Sequence, residues 1–409
     1  MNRFANFLPK PTALACVGAC LLLGAAAQAE ENSPYYVGAT GRVTRNSNVL
    51  SQSVAQADTI QSAGLQAGLD QSFGRQHLQL NLSANHNRFS RISTLNHTDY
   101  ALTSQLNWET IENFSGVFNV GANQSRYVDA SSAQTGLNLL RSKNIGLQVT
   151  RGELTALTFD GGISASQNRY SAVAYQQNDL DQVAINGGVH FRPMGGVRLG
   201  TSLRHTSATY PNYYTGKDTV SRNDFDLTAS ARVTGASEFW SRLSLTRESH
   251  SAVRARDYSD WTGALSWTWR PTGKLKLKLD MNRDSNVGAT DYLATNLLTL
   301  SGNDSRISNK LGLTADWELT SMLSLNAGWS ETWRTIDNAY VLNQNGLASS
   351  TAKDRTSIYS LGVRYMPVQS IELGCSVVVT DRSTSETVSS LTYPYKQNIT
   401  GCYGSVQLR

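Results

Sequence analysis

The sequence predicts an all-β fold, a transmembrane up-and-down antiparallel β-barrel of about 18 strands with short periplasmic turns and longer extracellular loops. The first observation is strict alternation, as in "KLKLKLDM" at 274–281, which puts polar and apolar side chains on opposite strand faces. The second is a regular succession of short and long connections. The third is composition: only 16% of residues are charged, and no apolar run after residue 30 is long enough for a transmembrane helix.

The first 29 residues are predicted to be a secretory signal peptide rather than part of the fold. They combine a short basic start, an apolar run and the small-residue site Ala27-Gln28-Ala29. Residues 30–409 would then form a single outer-membrane β-barrel domain. We therefore expect an integral protein of the Gram-negative outer membrane, surrounded by membrane lipid.

Eighteen alternating segments are predicted as strands. They are 35–45, 59–70, 76–90, 98–109, 115–127, 141–151, 155–169, 179–192, 197–210, 222–233, 238–250, 258–270, 274–284, 305–318, 322–335, 355–366, 370–381 and 396–409. Short connections such as "RPTGK" (270–274) contain Pro and Gly and suit tight turns. Among the long ones, 286–303 carries Tyr and Leu, so we expect it to pack as a constriction, as a lid or on a neighbouring loop.

The apolar strand faces are predicted to meet lipid. Aromatic residues recur beside the short turns, which indicates an interfacial girdle at the periplasmic end. They are Trp108, Phe191, Phe239, Trp240, Trp267, Trp269, Trp317 and Tyr365. The aromatic candidates for the inner face, where they could stack on a sugar, are Tyr170, Tyr210, Trp240 and Tyr403.

The inward-facing bases are the candidate selectivity residues of the lumen. By the alternation they are Arg192, Arg198, Arg204, Arg232, Arg242, Arg270, Lys276, Lys278, Lys310, Arg334, Arg364 and Arg382. The inward acids are fewer: Asp70, Glu109, Asp160, Asp226, Glu248, Asp280, Asp316 and Glu372. A positive lining would favour anionic solutes. The alternative is that these charges form cross-strand ion pairs that only keep a polar wall soluble.

Cys375 and Cys402 are predicted to form a disulfide. Both lie on the apolar faces of the last two strands. If Tyr395 lies opposite Arg382, the same register places Cys402 opposite Cys375. Two free thiols are the alternative.

The residues indicate no catalytic, cofactor or metal site. None of the six histidines has the spacing of metal ligands, and no convincing Ser–His arrangement for hydrolysis appears. The net charge of +5 is mild and the bases are scattered at strand spacing, so we expect no nucleic-acid partner.

The opening segment "YYVGATGRVTRNSNVL" (35–50) and turns such as "RPTGKLKL" carry a family resemblance. With the strand rhythm of nearly the whole chain, they resemble the β-barrel porin type associated with exopolysaccharide gene clusters, the EpsL-like outer-membrane proteins. One departure is the ending "GSVQLR", where outer-membrane barrels usually end in an aromatic residue.

The resemblance implies a conduit or accessory for exopolysaccharide export, with the polysaccharide in the lumen and polysaccharide-secretion machinery as a partner. The alternative is a diffusion or uptake porin for small anionic solutes or sugars, which an arginine-lined lumen suits equally well. A barrel closed by its own loops, with partners performing the transport, is a further hypothesis.

Overall fold

The computed structural model is a closed barrel of eighteen antiparallel strands, so the predicted fold class is confirmed. The structure describes residues 33–128, 136–153, 155–213, 216–252, 257–285, 305–341, 347–385 and 392–408. The predicted signal peptide and the 286–303 loop lie outside these residues. Within them, no helix is both long and apolar enough to cross a bilayer.

The strands correspond one to one with the eighteen predicted segments. They are β1 Tyr35–Asn46, β2 Asp58–Phe73, β3 Gln76–Phe89, β4 His97–Glu109, β5 Phe114–Arg126, β6 Leu139–Arg151, β7 Leu157–Tyr170, β8 Leu180–Met194, β9 Val197–Tyr210, β10 Asp218–Thr234, β11 Ser237–His250, β12 Tyr258–Thr272, β13 Leu275–Asp284, β14 Ser305–Glu318, β15 Leu323–Val341, β16 Leu347–Val368, β17 Ile371–Thr384 and β18 Tyr395–Leu408. Two short 3-10 helices, Ser93–Leu95 and Val173–Asn178, lie in connections at the outer end.

Each strand pairs with its neighbours in sequence, and β1 also pairs with β18. The ladder therefore has no open edge. This matters in lipid, where an unpaired backbone N–H or C=O has no water to bond and costs several kcal/mol. Closure through β1 and β18 satisfies the first and last strands in the same way as the others.

The outer surface carries large apolar side chains that stay exposed along the strands. Leu65, Leu203 and Leu245 are between 65% and 68% accessible. An aqueous protein would rarely leave such a continuous apolar surface uncovered. The outward faces are therefore the lipid-facing surface of an outer-membrane type barrel, as the alternation predicts.

Aromatic residues mark both ends of this surface. Near the short turns, Trp267, Trp269 and Trp317 are partly exposed on the outward face. Near the opposite end, Trp261 and Trp333 are also partly exposed on the outward face. The expected girdle contains one error: Trp240 lies opposite Ser230 and Ser266 on the inward face, so it belongs to the lumen.

Prolines accompany three of the irregularities of the sheet. The pairing register shifts between Phe191 and Met194, between Trp269 and Thr272, and between Tyr365 and Val368. Each of these segments contains a proline one or two residues before the turn, which cannot donate to the ladder. The resulting bulges lie next to the periplasmic turns, where a break in pairing meets water rather than lipid.

A disulfide joins the last two strands. Cys375 lies directly opposite Cys402, with the two Cα atoms 4.0 Å apart, and the two sulfurs are bonded. The neighbouring pair Arg382 and Tyr395 follows the same register. The bond therefore links β17 to β18 on the lipid-facing side.

We expect reduction of this disulfide to destabilise the barrel. The bond closes a segment with a sequence separation of 27 residues, for which lost chain entropy gives at most about 3.5 kcal/mol. The measurement is urea unfolding of the refolded barrel in micelles, with and without reductant. The control is Cys375→Ser/Cys402→Ser, whose midpoint should match reduced wild type and ignore reductant; identical midpoints for oxidised and reduced wild type would contradict the prediction.

Candidate functional site: the barrel lumen

The inward-facing side chains differ in accessibility between the two halves of the barrel. Toward the extracellular end they are buried along several arcs of the wall, although many are polar or charged. Toward the periplasmic end, inward residues such as Lys276, Asp316, Asn326 and Arg364 are exposed. A wide water-filled pore would leave both sets accessible. The inner wall is therefore accessible to solvent on the periplasmic side and covered along these arcs on the outer side.

Arg222 is the centre of an ion-pair network on the inner face of β9–β13. Its side chain is completely buried. The guanidinium donates from Nε to both carboxylate oxygens of Asp224, at 3.1 and 3.0 Å, and from Nη1 to Asp284 at 2.8 Å and Ser285 at 3.0 Å. These bonds tie β10 to the end of β13, across the two strands between them.

Two further arginines extend the network toward the periplasm. Arg204 donates from Nε to Asp224 at 3.1 Å, and its Nη2 lies 3.7 Å from Asp226. Arg242, on β11, lies on the other side of Asp226, with its Nη1 3.5 Å from the same carboxylate oxygen. It also donates a hydrogen bond to Ser244 at 2.9 Å. The Asp226 carboxylate therefore lies between two guanidinium groups from different strands.

His250 extends the network to the outer end. Its ring is almost completely buried, with Nδ1 2.8 Å from Asp218 and Nε2 3.1 Å from Glu248. Glu248 also accepts a hydrogen bond from Ser285 at 2.9 Å. The ring thus lies between the carboxylates of Asp218 and Glu248.

The network changes the predicted charge balance of the lumen. Arg204 and Arg242, expected as free selectivity residues, are buried against acids, as the cross-strand ion-pair alternative describes. The structure also places Arg222, Asp218, Asp224 and Asp284 on this face, beyond the residues assigned from the sequence. In the described part of this network, five carboxylates accompany three guanidiniums, so these strands carry no positive excess.

The missed residues had a sequence signal. In "DTVSRNDFD" (218–226) the even positions are Asp218, Val220, Arg222, Asp224 and Asp226, a period-two set that marks one face. The predicted strand began only at 222, and its polar residues on both faces concealed the pattern. Extending β10 to Asp218 would have placed three acids and an arginine together.

A second pairing lies on β15–β17. Arg334 donates to both oxygens of Asp354, at 3.0 and 2.5 Å, and both side chains are buried. Arg382 donates to Thr356 at 3.1 Å and lies over the ring of Tyr395, 5.1 Å from its centroid. These two predicted selectivity residues are also held by the wall.

The remaining predicted bases, apart from Lys310, lie nearer the periplasmic end. Arg232 is largely exposed and lies 3.0 Å from Glu238, which is also 3.8 Å from Arg270. Lys278 pairs with Asp280 at 3.1 Å. Lys276 and Arg364 are exposed, and Arg364 donates to Ser324 at 3.1 Å. Arg192, Arg198 and Lys310 are partly buried on the inner face.

The first extracellular connection, residues 47–57, folds into the mouth. Val49 and Leu50 are buried against Phe89 and Ile60, whose side chains face inward from β3 and β2. Leu95 from the next connection completes this cluster. The connection therefore covers the inner face of these strands instead of extending into solvent.

Hydrogen bonds fix this connection at both sides of the mouth. On the β18 side, the Asn48 side-chain amide donates to the backbone oxygen of Lys396. The Gln397 side-chain amide in turn donates to the backbone oxygen of Asn48. At the other side, Arg126 on β5 donates to the Val49 oxygen at 2.6 Å. The connection thus spans the arc from β18 to β5, a constriction the sequence did not predict because its residues look like an ordinary polar loop.

Aromatic packing continues the closure over β5–β8. Tyr127, Tyr170 and Tyr175 pack edge-to-face or tilted, with ring centroids between 5.0 and 6.2 Å apart. Tyr170 was predicted as an inner stacking residue, and its ring is buried in this cluster. It is therefore a packing residue in this structure.

No metal-binding group emerges from the part of the chain that the structure describes, since no three His, Cys, Asp or Glu side chains are suitably gathered. Many charges of the lumen are instead arranged as pairs of opposite sign.

Comparison with known proteins gives likenesses of fold only. No protein-family model matches the chain, and no curated protein matches it. Among solved structures, Pseudomonas aeruginosa OpdK with vanillate is 12% identical, covering 91% of this chain and 98% of that one, with a TM-score of 0.46. OccK2 (OpdF) of the same organism, in complex with glucuronate, is 12% identical, covering 93% and 100%, with a TM-score of 0.47.

A third similar structure is Pseudomonas aeruginosa OccK3 (OpdO), 14% identical, covering 95% of this chain and 98% of that one, with a TM-score of 0.47. The EpsL-like resemblance gains no support from these comparisons. At such identities and TM-scores the likenesses do not bear on cargo.

Replacing Arg222 should destabilise the barrel strongly. In Arg222→Gln, Asp284 loses its charged partner while buried, for which a cost of about 3–5 kcal/mol is expected. The control is Arg232→Gln on the same strand and the same face, where the exposed pair with Glu238 should contribute little. The free energy of unfolding in urea, measured in micelles, compares the two; equal losses for both variants would refute the role of the buried network.

Proposed function

We propose that this protein is an outer-membrane channel for small polar solutes, sugars and anions among them, with an outer mouth narrowed by its first extracellular connection. The observation that carries this proposal is the contrast within the lumen. Polar side chains are accessible in the periplasmic half, whereas Val49, Leu50 and the Arg222 network are buried in the outer half.

A conduit for a polysaccharide chain is less well supported. A polymer needs a continuous water-filled passage, because its hydroxyl groups must stay hydrogen-bonded along the whole path. The connection at 47–57 and the buried ion pairs cover two arcs of the outer half of the wall in this structure. A small solute needs only a narrow passage beside them.

Charge supports weak rather than strong anion preference. Accessible bases in the periplasmic half include Lys276 and Arg364, which would attract anions. Accessible acids such as Asp70 and Asp316 accompany them. In the described part of the lumen most acids lie against bases or hydrogen-bond donors of the wall, so we propose transport rather than an enzymatic activity.

Loosening the first connection should increase conductance in planar bilayers. Val49→Ser/Leu50→Ser removes buried apolar surface that holds the connection against Phe89, so we expect larger or more frequent open events, several-fold above wild type. The control, Val54→Ser, alters a residue of the same connection that is 74% exposed, and conductance should not change.

A deletion of residues 49–56 replaced by a short Gly-Ser linker provides the second variant. If wild type already shows a large, steady conductance that neither change alters, the mouth is not the constriction. If neither variant conducts although both fold, as judged by heat-dependent gel mobility, the channel proposal is wrong.

A further inference from the structure

One tryptophan of this barrel faces the opposite way from the others. The chain has eight tryptophans, all within the described residues. Seven lie on outward strand positions, where indole rings suit the membrane interface. Trp240, on β11, lies on the inward face.

The strands beside Trp240 leave room around its ring. The residues paired with Trp240 on the neighbouring strands are Ser230 on β10 and Ser266 on β12, and both have small side chains. The ring lines a cavity of about 590 Å³ in the lumen, between β5 and β11. That volume is in the range of small-molecule sites. An inward aromatic ring in such a space is available to a solute rather than occupied in packing between strands.

The rest of the cavity presents hydrogen-bonding groups. Side-chain amides come from three different strands, as Asn119, Gln148 and Asn186, and hydroxyls come from Ser164 and Ser202. Amides offer both donors and acceptors, which matches the hydroxyl groups of a sugar. The apolar C–H face of a pyranose ring can pack on an indole, so this lining suits a saccharide.

One base in the cavity, Arg198, retains an unused donor although it lies near enough to Asp160 to interact with its charge. Arg198 lines the cavity, and its Nε has no hydrogen-bond partner among the described residues. The neighbouring acid Asp160 already contacts His190 and accepts a hydrogen bond from Gln148 at 3.1 Å. A carboxylate on the solute would supply the missing acceptor for Arg198.

The ion-pair network forms the outer boundary of this cavity. Asp226 and Arg242 belong to both the network and the cavity lining. A solute in the cavity therefore lies just on the periplasmic side of the closed section, where entry is open and further passage is restricted.

We propose that this cavity binds a small acidic saccharide, a hexuronic acid or short oligomer of one, with its ring on Trp240 and its carboxylate at Arg198. The proposal rests on the channel function proposed above and names its substrate class. Trp240 is the position that sets affinity for the ring, and Arg198 sets the preference for an acid over a neutral sugar.

The test is block of single-channel current by galacturonate and by galactose, applied from the periplasmic side of the wild-type barrel. Galacturonate should block at lower concentration than galactose. Trp240→Ala should weaken block by both sugars about tenfold, and Arg198→Gln should remove the difference between them. Trp317→Phe, an outward residue, is the control and should leave block unchanged.

A second measurement does not depend on conductance. Iodide in the aqueous phase should quench the fluorescence of Trp240 more than that of the lipid-facing tryptophans. Galacturonate should protect this quenchable fraction of the fluorescence. The Trp240→Phe variant should lack the fraction altogether. A conducting channel in which neither sugar blocks and galacturonate gives no protection overturns the saccharide site and leaves the channel proposal standing. A folded barrel without conductance but with protection rejects the channel proposal and retains the binding site.

Discussion

A strand that crosses lipid must have every backbone N–H and C=O group paired by a neighbouring strand, and the rest of this structure depends on that requirement. It explains why β1 pairs with β18 as fully as with β2. It also explains why Pro193, Pro271 and Pro367 lie beside the turns, where the register shifts. With backbone polarity satisfied by closure, the side chains alone decide which face meets lipid and which meets the lumen.

Alternation then sends the polar residues to one interior, where charges from adjacent strands meet. In the outer half they are also buried, and a buried ion is tolerated only with a partner of opposite sign. Arg204, Arg222 and Arg242 accordingly share Asp224 and Asp226. Pairing, rather than the count of bases, therefore determines how much charge the lumen offers to a solute.

The strands and their facing could be predicted because both follow from local periodicity, which a single strand records in its own sequence. The register of Cys375 and Cys402 followed from one neighbouring pair for the same reason. Burial could not be predicted, because whether Arg204 faces water or Asp224 depends on contacts between distant strands. The folding of residues 47–57 into the mouth was missed because only two of their apolar side chains, Val49 and Leu50, pack into the buried cluster.

The two closed parts of the outer half differ in how easily they can move. Releasing the connection at 47–57 exposes chiefly Val49 and Leu50, about 1.5–3 kcal/mol for each side chain, and its lost hydrogen bonds can be replaced by water. Opening the Arg222 network would separate several buried ion pairs, each costing about 3–5 kcal/mol when one partner is left alone. The network is therefore the fixed part of the wall, and the first connection is the part that moves at lower cost in free energy.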